Sequence, residues 1–108
     1  MIYLASPYSH PDPNVCEARF DAACQATVDL MRSGYVVFSP IVHGHPLMRF
    51  GLPTDWAFWQ RFDTEHLRRC DEVLVLQIDG WQESEGVRAE VELARAMGKR
   101  LTYLEPAQ

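Results

Sequence analysis

The chain has 108 residues, of which 47% are hydrophobic and 23% are charged, and its formal net charge at pH 7 is -5. This length suits one domain, and the composition excludes a disordered or a membrane-spanning protein. The acidic balance argues against a general nucleic-acid-binding protein, which needs a basic surface. The hydrophobic N-terminus lacks the pattern of a signal or transit peptide, and three cysteines without a CxxC pair favour reduced thiols, so a cytoplasmic location is expected.

The first part of the chain predicts two strands separated by a long helix. Residues 1–5 form a short apolar run that is typical of a strand covered on both faces. The loop after them is rich in Pro, Ser and Asp, and Asn14 is the predicted cap of a helix that ends near Ser33. The predicted inward face of this helix comprises Cys16, Phe20, Ala23, Cys24, Thr27, Val28 and Met31. Residues 35–39 predict a second buried strand.

The remainder of the chain predicts a long loop, two helices and two strands. Residues 40–54 are predicted as a loop, and loops of this length often cover a site. The helices are predicted from residue 54 or 55 to about residue 69 and from Ser84 to Gly98, and the strands over residues 71–78 and 100–104. Ser84 can cap the last helix by accepting hydrogen bonds from its first N–H groups, and Gly98 can end it.

This alternation of strands and helices predicts the fold class. Consecutive parallel strands need right-handed crossovers, so we expect an α/β domain with a parallel sheet of about four to five strands and helices on both faces. The whole chain, residues 1–108, is expected to be this one domain. The loops that follow the first and third strands would then lie at the carboxyl edge of the sheet, where such folds bind their ligands.

Two carboxylates interrupt the apolar faces of the predicted helices. Glu90 lies in the apolar stripe of the last helix, within its first two turns, and Asp63 lies on the aromatic face of the helix before it. A buried carboxylate is costly unless something uses it. One interpretation is a glutamate at the edge of the core that reaches water or an arginine. The other is a nucleophile or an acid–base group at the floor of a cleft, near the positive end of a helix.

Two partly buried carboxylates beside a loop rich in Tyr and Ser suit glycosidic-bond chemistry. One carboxylate attacks the anomeric carbon, and the other manages the proton of the leaving group. The helix N-terminus is expected to favour the ionised form of Glu90, and an apolar, aromatic neighbourhood is expected to keep a proton on Asp63. Trp59 and its aromatic neighbours can either stack on a flat base or belong simply to the core.

Three motifs follow one another along the chain. They are IYLASPYS at the start, Asp63 placed eight residues before the Asp71 that opens the third strand, and S-x-G-x-x-x-E-x-x-x-A followed by GK. The last motif comprises Ser84, Gly86, Glu90, Ala94, Gly98 and Lys99. In this order and spacing the chain resembles the nucleoside 2-deoxyribosyltransferase superfamily, within it a small bacterial and phage branch, over most of its length. The resemblance implies a flavodoxin-like or Rossmann-like three-layer fold.

The resemblance also implies roles for individual residues. Glu90 resembles the nucleophile that carries the deoxyribosyl group, Asp63 the acid that protonates the departing base, and Tyr3 the tyrosine that orients the nucleophile. Ser84 resembles the serine that contacts the phosphate in deoxynucleotide 5′-monophosphate hydrolases. The full set of candidate substrate-binding residues is Ser6, Tyr8, Ser9, His45, Trp59, Asp79, Ser84 and Gly86.

The expected function is therefore cleavage of the N-glycosidic bond of a nucleoside or nucleotide, by hydrolysis or deoxyribosyl transfer, through a covalent glycosyl-glutamate intermediate. The first alternative is a non-catalytic nucleotide-sensing or binding domain on the same scaffold. The second is a metal-dependent hydrolase that uses His10, His43, His45 and an aspartate, because a His-x-His pair can bind zinc. For the expected function no cofactor, metal ion, nucleic acid or membrane is needed, and the expected assembly is a homodimer or a larger homo-oligomer.

Overall fold

The computed structural model of the chain describes residues 1–106. Strands and helices alternate in the order β1 (Ile2–Ala5), α1 (Pro13–Arg32), β2 (Val37–Phe38), α2 (Pro40–Met48), α3 (Trp56–Arg69), β3 (Glu72–Leu76), α4 (Glu85–Ala96) and β4 (Arg100–Leu104). The strands pair in parallel in the order β2-β1-β3-β4. The predicted α/β fold, with a parallel sheet between helices, is confirmed, and its three layers are those of a flavodoxin-like or Rossmann-like fold.

The alternation of side chains along β1 and β3 gives each face of the sheet its own core. Successive side chains of a strand point to opposite faces. One face packs on α1 through Ile2, Leu4, Leu74 and Leu76 with Ala22, Ala26 and Leu30. The opposite face packs on α3 and α4 through Tyr3, Ala5, Val73 and Val75 with Leu67, Val87 and Ala94. Tyr3 therefore faces the two helices that carry Asp63 and Glu90.

The buried face of α1 agrees only in part with the predicted face, since Ala23 is fully buried as predicted. Val28 and Met31 were predicted to point inward, but they are 41% and 59% exposed, whereas Leu30 packs on the sheet. The alanines on the observed face are small and let the helix approach the sheet closely. The helix also begins earlier than predicted, because its cap is Asp12, whose side chain accepts a hydrogen bond from the backbone N–H of Asn14.

Two strands are shorter than predicted. β2 comprises only Val37–Phe38, and Tyr35 and Val36 before it are exposed. The predicted burial of residues 35–39 is confirmed for Ser39 and in part for Val37 and Phe38. It is wrong for Tyr35 and Val36, which precede a strand at the edge of the sheet. β3 ends at Leu76 rather than at residue 78, whereas β4 has the predicted bounds.

A helix replaces the first part of the loop predicted over residues 40–54. α2 begins after Ser39, whose side chain accepts a hydrogen bond from the backbone N–H of Val42. Pro40 occupies the first turn, where the missing N–H of a proline has no intrahelical partner to lose. A glycine and Pro46 inside the helix lower its helical propensity and hid it from the sequence analysis. The capping serine followed by a proline was the local signal for its start.

The helices that carry the two candidate carboxylates lie close to their predicted bounds. α3 begins after Asp55 and ends at Arg69. The side chain of Ser84 caps α4 by accepting a hydrogen bond from the backbone N–H of Val87, as predicted. Gly98 follows the helix with a φ of 68°, a left-handed conformation that glycine adopts without strain.

Two expectations from composition concern the cysteines and the membrane. Cys16, Cys24 and Cys70 are free thiols. Across residues 1–106, no helix has both the length and the hydropathy that crossing a bilayer requires.

The packing of α1 predicts different results for two adjacent residues. Leu30→Ala should lower the free energy of unfolding by about 2 kcal/mol, because it removes a side chain that packs on the sheet. Met31→Ala should change it by less than about 0.5 kcal/mol, because Met31 is exposed. Urea unfolding followed by circular dichroism measures both values. An equal or larger loss for Met31→Ala would contradict the observed face of α1.

Candidate active site

A buried glutamate of α4 is hydrogen-bonded to the strand β1. Glu90 is 3% exposed, although Arg88 and Glu92 on the same helix face solvent. Its Oε2 accepts a hydrogen bond from the hydroxyl of Tyr3, which is fully buried in the core. The structure thus brings together the two residues that the sequence analysis paired as the nucleophile and the tyrosine that orients it.

Asp63 and Glu90 line the same cavity, which has a volume of about 460 Å³. Its walls come from the loops after β1 and β3 and from α2, α3 and α4. The sequence-predicted residues in its lining are Ser6, Tyr8, Ser9, Trp59, Asp63, Ser84, Gly86 and Glu90. The cavity therefore lies at the carboxyl edge of the sheet, where the crossover connections of an open α/β fold leave room for a ligand.

The other lining residues were not among the candidate substrate-binding residues, although Trp56 was one of the aromatic side chains considered for stacking on a base. Most of them belong to α2, which was predicted as a loop, and to the segments around the helix starts; they are Pro40, Ile41, Gly44, Met48, Thr54, Asp55, Trp56, Glu83 and Glu85. Glu83 and Glu85 flank the predicted cap Ser84, so their position next to the site could have been inferred from sequence. Residues 40–54 were expected to cover a site, but which of them reach the cavity depends on how α2 packs.

Burial makes both carboxyl groups of the cavity weaker acids. It raises the pKa of Asp63, which is 7% exposed, to about 7, as expected from its surroundings. Burial and then the charge of Asp63 raise the pKa of Glu90, whereas the hydrogen bond from Tyr3 lowers it. The helix N-terminus was expected to favour the ionised Glu90, but desolvation outweighs the partial charge of the helix end. The pair therefore keeps at least one proton near neutral pH.

Two buried polar atoms of the cavity lining have no protein partner. Ser6 Oγ and Asp63 Oδ1 make no hydrogen bond within the part of the chain that the structure describes. A buried polar atom without a partner costs free energy, so such atoms normally meet water or a ligand. The cavity is therefore suited to a ligand that carries hydroxyl groups or ring nitrogen atoms.

Comparison with families of related sequences gives one match that spans the site. Residues 1–105 match the family described as "Domain of unknown function (DUF1937)". The chain belongs to the DUF1937 family. The match extends from β1 to β4 and includes every residue of the cavity described above. No curated protein matches the chain.

Trp59 is a rigid part of the cavity wall in this DUF1937 domain. Its indole Nε1 donates a 2.7 Å hydrogen bond to the backbone carbonyl of Pro53, and its ring contacts Phe58 and Phe62 edge to face. The side chain is largely buried, so both sequence interpretations apply to it in part. It is largely buried in the core and also lines the cavity.

His45 lies behind the cavity rather than in its lining. It is 6% exposed, and its Nδ1 is 2.6 Å from the hydroxyl of Tyr8. Its Nε2 contacts the carboxylate of Glu17 on α1. Tyr8 lines both this cavity and a neighbouring depression, whereas His45 lines only the depression, so a contact of His45 itself with a substrate stays a prediction. The unpredicted helix α2 decides this position, since it turns the side chain toward α1.

Asp79 lines a neighbouring depression of about 790 Å³. This depression shares Ser9, Glu83 and Ser84 with the cavity. Arg19 of α1 holds the rim between the two, because its guanidinium donates hydrogen bonds to the backbone carbonyls of Ser9 and Asp79. Asp79 therefore lies just outside the cavity, and its contact with a sugar stays a prediction.

The three histidines of the metal-hydrolase hypothesis, His10, His43 and His45, each contact different residues. The ring of His43 stacks on Phe62 with centroids 5.1 Å apart, and His10 Nδ1 accepts a hydrogen bond from the backbone N–H of Asp12. His45 is engaged with Tyr8. Among residues 1–106, no group of three or more His, Cys, Asp or Glu is arranged to hold a metal ion.

Burial of Asp63 predicts that the domain loses stability between about pH 4 and about pH 7. An unfolded aspartate has a pKa of about 3.9, and the pKa of folded Asp63 is about 7. The folded state binds more protons across this window, so the free energy of unfolding should fall there as the pH rises, by up to about 4 kcal/mol.

Asp63→Asn should reduce this fall, whereas Asp21→Asn at an exposed position of α1 should leave it unchanged. Urea unfolding at a series of pH values measures the profile of each protein. A wild-type profile that is flat from pH 4 to pH 7, or one that Asp21→Asn alters as much as Asp63→Asn, would contradict the buried state of Asp63.

Proposed function

We propose that this domain is an enzyme that cleaves the N-glycosidic bond of nucleosides or nucleotides, by hydrolysis or by deoxyribosyl transfer. The observation that carries the proposal is the hydrogen bond from Tyr3 to the buried Glu90 on a cavity that Asp63 also lines. It supplies an oriented nucleophile beside a carboxyl that holds a proton near pH 7. The motifs that resemble the nucleoside 2-deoxyribosyltransferase superfamily support the same assignment, and we propose that the chain belongs to that superfamily.

Glu90 is the nucleophile of the first step. Tyr3 holds Oε2, which leaves Oε1 to form a bond to C1′ of the sugar. The bond between C1′ and the base nitrogen breaks, and its electron pair passes to the base. Asp63 donates its proton to the base, so the base leaves as a neutral molecule.

The second step releases the sugar from Glu90. Water, or the nitrogen of a second base, forms a bond to C1′ while the bond from C1′ to Oε1 breaks and its electrons return to the carboxylate. Asp63, now ionised, accepts the proton of the attacking group. Throughout the cycle the pair carries at most one full negative charge, which suits the poor solvation of this cavity.

The dimensions and the lining of the cavity suit a nucleoside. A volume of about 460 Å³ lies within the range of small-molecule sites. Trp56 and Trp59 provide aromatic surface for a flat base, and Ser6 offers a buried hydroxyl to the sugar. Ser84 at the start of α4 lies where a helix N-terminus favours an anion such as a 5′-phosphate.

A nucleotide-binding domain without turnover is the second candidate. The observation that favours it is the burial of Glu90, which raises its pKa and works against an ionised nucleophile. A panel of nucleosides and monophosphates separates the two candidates, because the binding domain retains ligands and releases no free base.

The proposal of a homo-oligomer is supported by exposed apolar side chains around α2 and α3. These are Leu47, Phe50, Leu52 and Phe58. Clusters of this kind are found at protein–protein interfaces. The cavity itself is lined by a single chain, so catalysis as proposed does not require the assembly.

Glu90→Gln should lower base release from a 2′-deoxynucleoside at least about 1000-fold, because an amide cannot form the bond to C1′. Glu92→Gln, a charge removal on the exposed side of the same helix, is the matched control and should keep the wild-type rate. A nucleoside fluorinated at C2′, which slows the second step, should add the mass of its sugar to the peptide that contains Glu90. Unchanged base release by Glu90→Gln would refute the proposed nucleophile.

Asp63→Asn should lower kcat/KM for a natural base about 100-fold, because the leaving base no longer receives a proton. The same variant should lose less than about 10-fold on a p-nitrophenyl deoxyriboside, whose leaving group needs no proton. In the wild type, kcat/KM for the natural base should fall as the pH rises above about 7, where Asp63 ionises. Equal losses on both substrates would show that Asp63 is not the proton donor.

A further inference from the structure

A chain of polar side chains leads from the surface to the wall of the cavity. Arg49 lies 2.8 Å from one carboxylate oxygen of Glu17, and the other oxygen contacts Nε2 of His45. Nδ1 of His45 lies 2.6 Å from the hydroxyl of Tyr8, which lines the cavity together with Glu90. The proposed reaction assigns no part to this network.

The ring of His45 is held in one orientation. Phe20 stacks on it with centroids 4.2 Å apart and an angle of 26° between the rings, and Tyr8 meets it edge to face at 5.5 Å. The carboxylate of Glu17 is close to Nε2 but lies off the direction of an N–H bond, so this contact is mainly electrostatic. A negative charge beside Nε2 favours the tautomer with its proton on Nε2, which leaves the lone pair of Nδ1 free to accept a hydrogen bond.

This tautomer determines the role of the Tyr8 hydroxyl. With the proton on Nε2, the contact between the Tyr8 hydroxyl and Nδ1 of His45 requires the hydroxyl to donate, and the hydroxyl oxygen keeps lone pairs for another donor. Tyr8 is thereby an acceptor on the wall of the cavity. A hydroxyl group that rotated freely would serve either as donor or as acceptor.

The network extends further than a brace between two helices requires. Arg49 after α2 and Glu17 on α1 already join the two helices at the surface. The continuation through the buried His45 to Tyr8 adds polar groups that lose their hydration, a cost that a brace alone does not need. The cost is understandable if the orientation of the Tyr8 hydroxyl matters to a ligand.

We propose that Tyr8 contacts the substrate by accepting a hydrogen bond from a hydroxyl group of its sugar, and that His45 and Glu17 are positioning residues for Tyr8. The identity of the substrate as a nucleoside rests on the proposed function. The contact makes Tyr8 a specificity-determining residue, because a sugar that lacks the donor leaves the oxygen without its partner.

The test of the contact compares a 2′-deoxynucleoside with analogues that also lack the 3′- or the 5′-hydroxyl. At pH 8, wild-type kcat/KM should fall about 10- to 100-fold for the analogue that lacks the contacted hydroxyl. On the full substrate, kcat/KM of Tyr8→Phe should already be about 10- to 100-fold below that of the wild type. Between the full substrate and the analogue that lacks the contacted hydroxyl, kcat/KM of Tyr8→Phe should differ by less than about 3-fold. The proposal would be overturned if, for both analogues, Tyr8→Phe showed the same ratio of kcat/KM between substrate and analogue as the wild type.

The test of the positioning role uses two substitutions of one residue. His45→Leu removes the acceptor and should weaken kcat/KM about as much as Tyr8→Phe does. His45→Asn places a side-chain oxygen near the former Nδ1 and should recover most of the loss. Glu17→Gln should show a smaller loss, and Glu92→Gln should show none. If His45→Leu and His45→Asn lose activity equally, or neither loses any, His45 does not position Tyr8.

Nuclear magnetic resonance of the full chain with ¹⁵N-labelled histidine tests the network without any substrate. The proton of the His45 ring should be found on Nε2, and Tyr8→Phe should shift the Nδ1 resonance toward that of a free lone pair. A proton on Nδ1 would overturn the proposal even if nucleosides are cleaved. If His45 shows the expected tautomer but the protein cleaves none of the nucleosides, the network stands and the proposed function is refuted instead.

Discussion

The hydrogen bond between the hydroxyl of Tyr3 and the carboxyl of Glu90 joins the middle of the sheet to the second turn of α4. β1 has a neighbouring strand on each side, so Tyr3 has almost no freedom to move. Val87 and Ala94 seal α4 against the same face of the sheet, one turn before and one turn after Glu90. A carboxyl held in this way is already oriented before a ligand arrives, which is how a protein lowers the entropic cost of a reaction.

The two carboxyl groups of the cavity differ in their partners. Glu90 accepts a hydrogen bond from Tyr3, which favours its charged form, whereas Asp63 Oδ1 has no hydrogen-bond partner within residues 1–106. Burial and the charge of Asp63 raise the pKa of Glu90, and burial makes a second charge in the cavity costly. The proposed nucleophile therefore depends on the hydrogen bond from Tyr3 to hold the one charge of the pair on Glu90 while the proton stays on Asp63. This asymmetry supports the proposed roles of nucleophile and acid, and it comes from a single hydroxyl group.

Several features of the protein follow from the sequence alone because their signals are local. The alternation of apolar strands and amphipathic helices determined the parallel α/β fold, and Ser84 and Gly98 marked the ends of α4. A carboxylate within an apolar stripe is visible in the order of residues, so Glu90 and Asp63 could be selected before the structure was considered. The place of Tyr3 beside Glu90 came from the resemblance to a family, not from periodicity.

Tertiary structure alone decided the features that depend on packing between distant segments. α2 forms despite a glycine and Pro46, because Ser39 caps it and α1 packs beside it, and this helix supplies a wall of the cavity. Likewise, residues 8, 17 and 45 meet only because a loop, α1 and α2 converge, so no pattern along the chain indicated that His45 would lie behind Tyr8. The sequence was enough to select Glu90 and Asp63, but their protonation depends on burial, and burial is a property of the folded chain.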